Sequence, residues 1–258
     1  MKPASPYDAL ETEPPLDYSV LSLELCKPKD FRLLEVRRTY EGGVIKCDLR
    51  VENLENNYPK YRALSYTWGP ATRHELDRLP GGASDNEQRK HGILCNQQLL
   101  LVTKNLYDFL QQLSQASPLE NEAIRYFWID SICINQEDPD ERASQVNMMS
   151  DIYRHAEEVV IWLGKSDEDT TLACNLVKKL GYLSQNERDS LDLESLRSKE
   201  NITTPLGESH TSAHWKAVVE LFGRTWFTRA WVVQEYVLAR DVVVLCGSLT
   251  LDLYKNQP

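Results

Sequence analysis

Hydrophobic positions fall in short blocks along this chain, some dense or alternating and others at helical spacing, with polar stretches between them. Residues 31–36 (FRLLEV) and 44–51 (VIKCDLRV) predict two strands joined by a turn at Glu41-Gly42-Gly43. Residues 61–68 (YRALSYTW) predict a third, which Gly69-Pro70 ends. After a polar loop over 71–91, residues 93–95 and 98–102 flank Asn96-Gln97 as a tight hairpin. Thr103 then caps a helix with Leu106, Phe109, Leu110 and Leu113 on one face. Residues 126–129 (YFWI) form a buried-type strand, followed by a polar loop over 130–138. Asp138-Pro139-Asp140-Glu141 is a helix start, with a cap, a proline at the first helical position and an acid three residues past the cap. Val146, Met149, Tyr153 and Ala156 continue it as a stripe, and residues 159–163 (VVIWL) form the next buried strand, stopped by Gly164. Ser166 caps a further helix that buries Leu172, Leu176 and Leu180 and stops at Gly181. Residues 214–222 and 228–240 predict two more helices, and 241–246 (DVVVLC) a last strand.

Strand, helix and strand over 126–164 make a parallel, right-handed βαβ unit, whose ligands bind beyond the strands' carboxyl ends. The alternation as a whole predicts an α/β fold over residues 29–258, with an N-terminal β-hairpin extension and a polar, flexible insertion over 184–212. Residues 1–28, rich in Pro, Glu and Asp, are expected to form a loose arm. The sequon at Asn201-Ile202-Thr203 is expected to be a chance occurrence. The chain ends soon after its last strand, as a piece of a longer protein would.

A net charge of −10 argues against a general phosphate-backbone binder, so no nucleic-acid partner is expected. No apolar run approaches the roughly 18 residues of a membrane span, and the first residues lack the basic and apolar regions of a signal peptide. A cytoplasmic protein without a membrane partner is the expectation. Its six cysteines are scattered without a CxxC pair and are expected to be buried, reduced thiols. Its five histidines share no ligand spacing with them, so no metal site is expected.

Three stretches carry candidate chemistry. In Trp231-Val232-Val233-Gln234-Glu235, Trp231 and Glu235 stand four apart on one helical face, with Ala230, Val233 and Val237 opposite, free to pack on the sheet. An acid beside an indole in a cleft has a dry wall and a stacking surface. The plainer alternative is a surface glutamate paired with Arg229 or Arg240. Ser65, Tyr66, Trp68 and Gly69 end the third strand, where small polar groups admit a ligand closely; a simple strand end closed by a turn is the alternative. Asp130, Asn135 and Gln136 line the mouth of the βαβ unit, either holding a ribose or making Asx-type turns.

Taken together, YRALSYTWG (61–69), the WIDSICINQED core of 126–164 and TWFTRAWVVQE (225–235) resemble the HET (heterokaryon incompatibility) domain of filamentous fungi. The likeness covers roughly residues 30–247. It implies a cytoplasmic effector of nonself recognition and programmed cell death, often joined to other domains in one chain. The block order also looks like a Toll/interleukin receptor (TIR) domain, which implies a TIR/flavodoxin-like three-layer core with parallel strands. In that likeness Ser65-Tyr66 ends the first strand, Asp130 ends the second, and Trp231–Glu235 matches the W-C-x-x-E motif in spacing. The chain departs from the motif at Val232 and in the long insert before Trp231. Many TIR domains cleave NAD at the nicotinamide–ribose bond with that glutamate. The resemblance therefore implies Glu235 as the catalytic residue. Ser65, Tyr66, Trp68, Gly69, Asp130, Asn135, Gln136 and Trp231 would be substrate-binding, with NAD or a related nucleotide as substrate and no cofactor. It equally implies a self-associating, non-enzymatic signalling module with a recognition partner, or a nucleotide sensor without turnover.

Overall fold

The computed structural model describes residues 10–23, 29–40, 42–77, 89–115, 124–181, 202–203, 209–210 and 212–251. Its strands are β1 (Asp30–Val36), β2 (Lys46–Asn53), β3 (Tyr61–Tyr66), β4 (Arg89–Cys95), β5 (Gln98–Thr103), β6 (Tyr126–Trp128), β7 (Glu158–Trp162), β8 (Ile202–Thr203), β9 (Ser209–His210), β10 (Val242–Cys246) and β11 (Leu249–Leu251). Helices α1 (Arg73–Leu76), α2 (Lys104–Gln115), α3 (Asp130–Cys133), α4 (Pro139–His155), α5 (Glu168–Gly181), α6 (Ser212–Phe222) and α7 (Val232–Val237) connect them. Nine strands form one mixed sheet in the order β11-β10-β7-β3-β6-β1-β2-β4-β5, and β8 and β9 pair separately.

The α/β expectation holds. The centre of the sheet is parallel: β3 pairs with β6 on one side and with β7 on the other, and β10 continues beyond β7. The two strands of the βαβ unit are therefore not neighbours, because β3 lies between them. The chain runs from β3 to β6 in one direction and from β6 to β7 in the other, so β3 marks the topological switch point. Successive residues of β6 point to opposite faces. Phe127 meets Phe109 of α2, while Trp128 meets Tyr153 of α4, so helices cover both sides. The antiparallel β1–β2 hairpin lengthens the sheet beside β6. The β4–β5 hairpin follows, closed by Asn96 (φ 50°) and Gln97 (φ 65°), as a two-residue turn requires.

Several local expectations give way to tertiary contacts. Part of the supposed arm is docked: Pro14 and Leu16 bond to Leu99 of the edge strand β5, and Leu10 is buried. This covers an otherwise open ladder. The hydroxyl of Thr103 caps nothing, being buried without a partner. The loop after β6 begins with a helical turn, α3. Asp138 caps α4 as expected, accepting from Asp140 N (3.0 Å) and Glu141 N (3.1 Å). The buried side of α4, however, carries Glu141, Gln145, Met148 and Ile152 as well as Tyr153, and Val146 is exposed. Asp167 rather than Ser166 caps α5, accepting from Thr170 N at 2.7 Å. The helix foreseen over 228–240 is a 3-10 turn at Thr225–Thr228 followed by the short α7. Most of residues 184–212, with Asn201 of the sequon, lies outside the described residues, as do 1–9 and 24–28 of the arm and Cys26. The other five cysteines are buried free thiols. Among the described residues, no helix is long and apolar enough to cross a membrane.

Candidate functional site

The carboxyl ends of β3, β6 and β7 converge on the segment 224–235, which the sequence anchors by polar side chains. Arg224 is buried and donates to the carbonyls of Leu163 (2.7 Å) and Lys165 (3.0 Å) just past β7. Thr225 donates to Pro70 O (2.6 Å) just past β3. The indole N–H of Trp226 donates to Ser65 Oγ at 2.7 Å. Gly164 makes this approach possible: its φ is +98°, and a Cβ there would overlap Ala71 Cβ and press on Arg224. These ties set α7 over the end of β3.

Glu235 is thereby held against the sheet. It is 2% exposed, and its carboxylate accepts a short hydrogen bond from the Ser65 hydroxyl. Arg229 grips both oxygens, Nη1 to Oε2 at 3.2 Å and Nη2 to Oε1 at 3.1 Å. Ser65 is thus a fixed relay, accepting from Trp226 and donating to Glu235. On the neighbouring strand end, Asp130 receives the indole N–H of Trp68 at 3.0–3.1 Å and the Ser131 N–H at 2.7 Å. Burial pushes the Asp130 carboxyl up to about 6; the Arg229 charge opposes this and the Glu235 charge adds to it. Burial likewise raises the Tyr153 phenol well above its usual value, with the Glu235 and Asp130 charges adding. Its hydroxyl donates to Leu64 O at 3.2 Å. Two acids, one guanidinium and several neutral donors therefore share one strand-end site.

The other candidate residues divide. Tyr66 and Ser131 share a hydrogen bond at 2.6 Å across the two strand ends, and Gln136 donates to Asp130 O at 2.9 Å. Gly69 is half-buried in the turn after β3. The Asn135 side-chain Oδ1 accepts from Glu137 N at 3.2 Å, an Asx-type turn that shapes the loop. Trp231 precedes α7 and is 57% exposed, so it forms no dry wall beside Glu235. The face expected to pack on the sheet points outward instead, with Val233 66% and Val237 69% exposed; Val232 and Glu235 turn in. The helix rotates this way because Glu235 finds Ser65 and Arg229, which four-residue spacing does not reveal. Trp226 is the residue that sequence reasoning missed here; its place in the TWFTRAW block was the available signal.

The loop below the site rests on a second buried ion pair. Arg32 of β1 donates to both oxygens of Glu141 (2.5 and 2.9 Å) and to the carbonyls of Cys133 (3.0 Å) and Leu21 (2.9 Å). The same Glu141 accepts from Asn135 N at 2.6 Å. The acid three residues past the cap thus braces the Asp130–Gln136 loop rather than closing a capping box. A cavity of about 410 Å³ lies at the opposite, amino end of the parallel strands, lined in part by Arg37, Arg62 and Arg125.

These elements define an α/β protein with a polar site at the carboxyl edge of its parallel strands. Residues 61–235, from the first residue of β3 to Glu235 itself, match the family model described as heterokaryon incompatibility protein (HET), and the chain belongs to that family. Over 212 residues it is 32% identical to heterokaryon incompatibility protein 6, OR allele, of Neurospora crassa. The alignment covers 73% of this chain but only 29% of that relative's length. No solved structure matches the chain.

Proposed function

We propose that this chain is the effector module of a cytoplasmic protein of fungal heterokaryon incompatibility, and that it hydrolyses NAD or a related dinucleotide at the nicotinamide–ribosyl bond. The observation that carries the reading is the buried Glu235 carboxylate, bonded to Ser65 at the end of β3 and electrostatically coupled to Asp130. The parallel strands follow the chain order 2-1-3-4, as flavodoxin-like sheets do, and helices lie on both faces; this supports the TIR-like core. Glu235 bonds to Ser65 at the carboxyl end of β3, the end at which ligands of such sheets bind, and this supports the reading of it as the catalytic acid. In the reaction the C–N bond breaks with its electron pair leaving on neutral nicotinamide, so no general acid is needed. The ribosyl C1′ develops oxocarbenium character that the Glu235 charge stabilises. Water adds at C1′ to give ADP-ribose, and its proton passes to solvent. Ser65 holds the carboxylate in place, while Tyr66, Trp68, Gly69, Asp130 and Gln136 contact the nucleotide.

The test is incubation of concentrated purified protein with NAD, with nicotinamide and ADP-ribose measured chromatographically. Glu235→Gln is expected to lower the rate by about 10²–10³, the usual cost of a preorganised electrostatic group. Turnover unchanged in that variant would refute the mechanism. A second reading, a non-enzymatic module that assembles with itself, is favoured by the exposed Trp231, Val233 and Val237 side chains. Sedimentation showing assembly without any NAD turnover is the result that would select it.

A further inference from the structure

A carboxylate clamped by Arg229 on both oxygens has little charge to offer a developing cation. The two partners are not equally sealed: the Arg229 side chain is 21% exposed and that of Glu235 2%, so an incoming ligand meets the guanidinium first. Arg229 also sits in the irregular link between the 3-10 turn and α7, its N–H bonded to Trp226 O at 3.2 Å, and belongs to no strand or long helix. Withdrawing it strands a buried negative charge, which is strongly unfavourable unless another cation takes its place. Asp130 beside it makes the site more negative still.

We propose that Arg229 is the phosphate-reading group of this site: it exchanges Glu235 for the pyrophosphate of an incoming dinucleotide, while the cationic pyridinium-ribosyl end replaces it at Glu235. The exchange keeps every charge paired. A guanidinium fork matches phosphate oxygens as well as it matches a carboxylate. The site is therefore selective for a ligand bearing both charges. Nicotinamide riboside has the cation but gives Arg229 no anion, whereas NADH and ADP-ribose have the phosphates but give Glu235 no cation. Arg229 thus holds the empty site inactive and favours the oxidised, phosphorylated substrate over the riboside. The inference rests on the dinucleotide reading above.

Two measurements test it on the whole chain. The first is equilibrium binding of ADP-ribose to the parent, to Glu235→Gln and to the Arg229→Gln/Glu235→Gln double variant, whose amide pair leaves no unpaired buried charge. ADP-ribose is expected to bind Glu235→Gln about tenfold or more tightly than the parent, because Arg229 is already released, and the double variant is expected to lose that gain. The second compares NAD with nicotinamide riboside as substrates of the parent and of Arg229→Lys, which keeps the charge but not the fork. The KM for NAD is expected to rise about tenfold relative to that for the riboside. Equal ADP-ribose affinity in Glu235→Gln and the double variant, no binding to any of them, or an equal decline with both substrates would overturn the proposal. Failure of the parent reading looks different: ADP-ribose binds in the expected order but the parent releases no nicotinamide.

Discussion

Replacing Glu141 by Gln tests the brace under the site. Arg32 is fully buried and its charge is paired with Glu141; its other contacts are the carbonyls of Leu21 and Cys133 and the ring of Tyr18, 5.0 Å from the guanidinium carbon. Gln keeps the shape of Glu141 and one acceptor oxygen but leaves the guanidinium uncompensated. Breaking a buried pair on one side costs about 3–5 kcal/mol, and retention of an acceptor puts this variant near the lower figure. With an unfolding entropy of about 2.1 cal/mol/K per residue over a chain of this size, 3 kcal/mol lowers Tm by about 5–6 °C. The assay is thermal unfolding followed by circular dichroism, with urea unfolding at 25 °C to check that the slope is unchanged. Arg32→Met/Glu141→Leu, which removes both charges together, is expected to melt closer to the parent than Glu141→Gln does. A Tm within about 2 °C of the parent for Glu141→Gln would refute the reasoning, since the guanidinium would then have found water or another partner.

Asp130 has a folded-state carboxyl raised to about 6, so between about pH 4 and 6 the unfolded chain binds fewer protons and stability falls as pH rises. That loss amounts to at most about 3 kcal/mol. Asp130→Asn should abolish this part of the pH slope in urea midpoints; parallel slopes in the two proteins would contradict it. Gly164→Ala should cost at least about 2 kcal/mol, because it adds a positive-φ penalty to a clash with Ala71, and an unchanged urea midpoint would show that the β7 exit has another conformation. Ser65→Ala leaves the Trp226 N–H and one Glu235 oxygen short of a partner and should cost about 1–3 kcal/mol in urea unfolding. A cost near zero would mean the relay is not formed.

The elements were mostly legible where a local cause sufficed. Dense β-branched runs define β7 and β10, Asn96-Gln97 sets the β4–β5 turn, and Asp138-Pro139 starts α4 at the expected residue. Legibility failed where a distant partner decided. The buried stripe of α4 includes Glu141 and Gln145 because Arg32 and the Asp30 carbonyl lie opposite them, and no helical periodicity counts such residues as core. The predicted last helix shrank to α7 because Arg224, Thr225 and Trp226 bond to the ends of β7 and β3 instead of continuing a helix.

The candidate site shows the same division. The sequence alone marked Ser65, Asp130 and Glu235 as polar residues at strand ends or on a late helix, and the three blocks that carry them identified the family. It also determined that the chain forms an α/β sheet, because the period of hydrophobic positions that separates strand from helix is set by each element's own residues. Only the tertiary structure decided that β3 lies between β6 and β7, that Glu235 faces Ser65 while Trp231 faces solvent, and that Arg229 bonds to both oxygens of the acid. Those outcomes rest on burying a charge, and a charge is buried only where the fold has brought a partner from far along the chain.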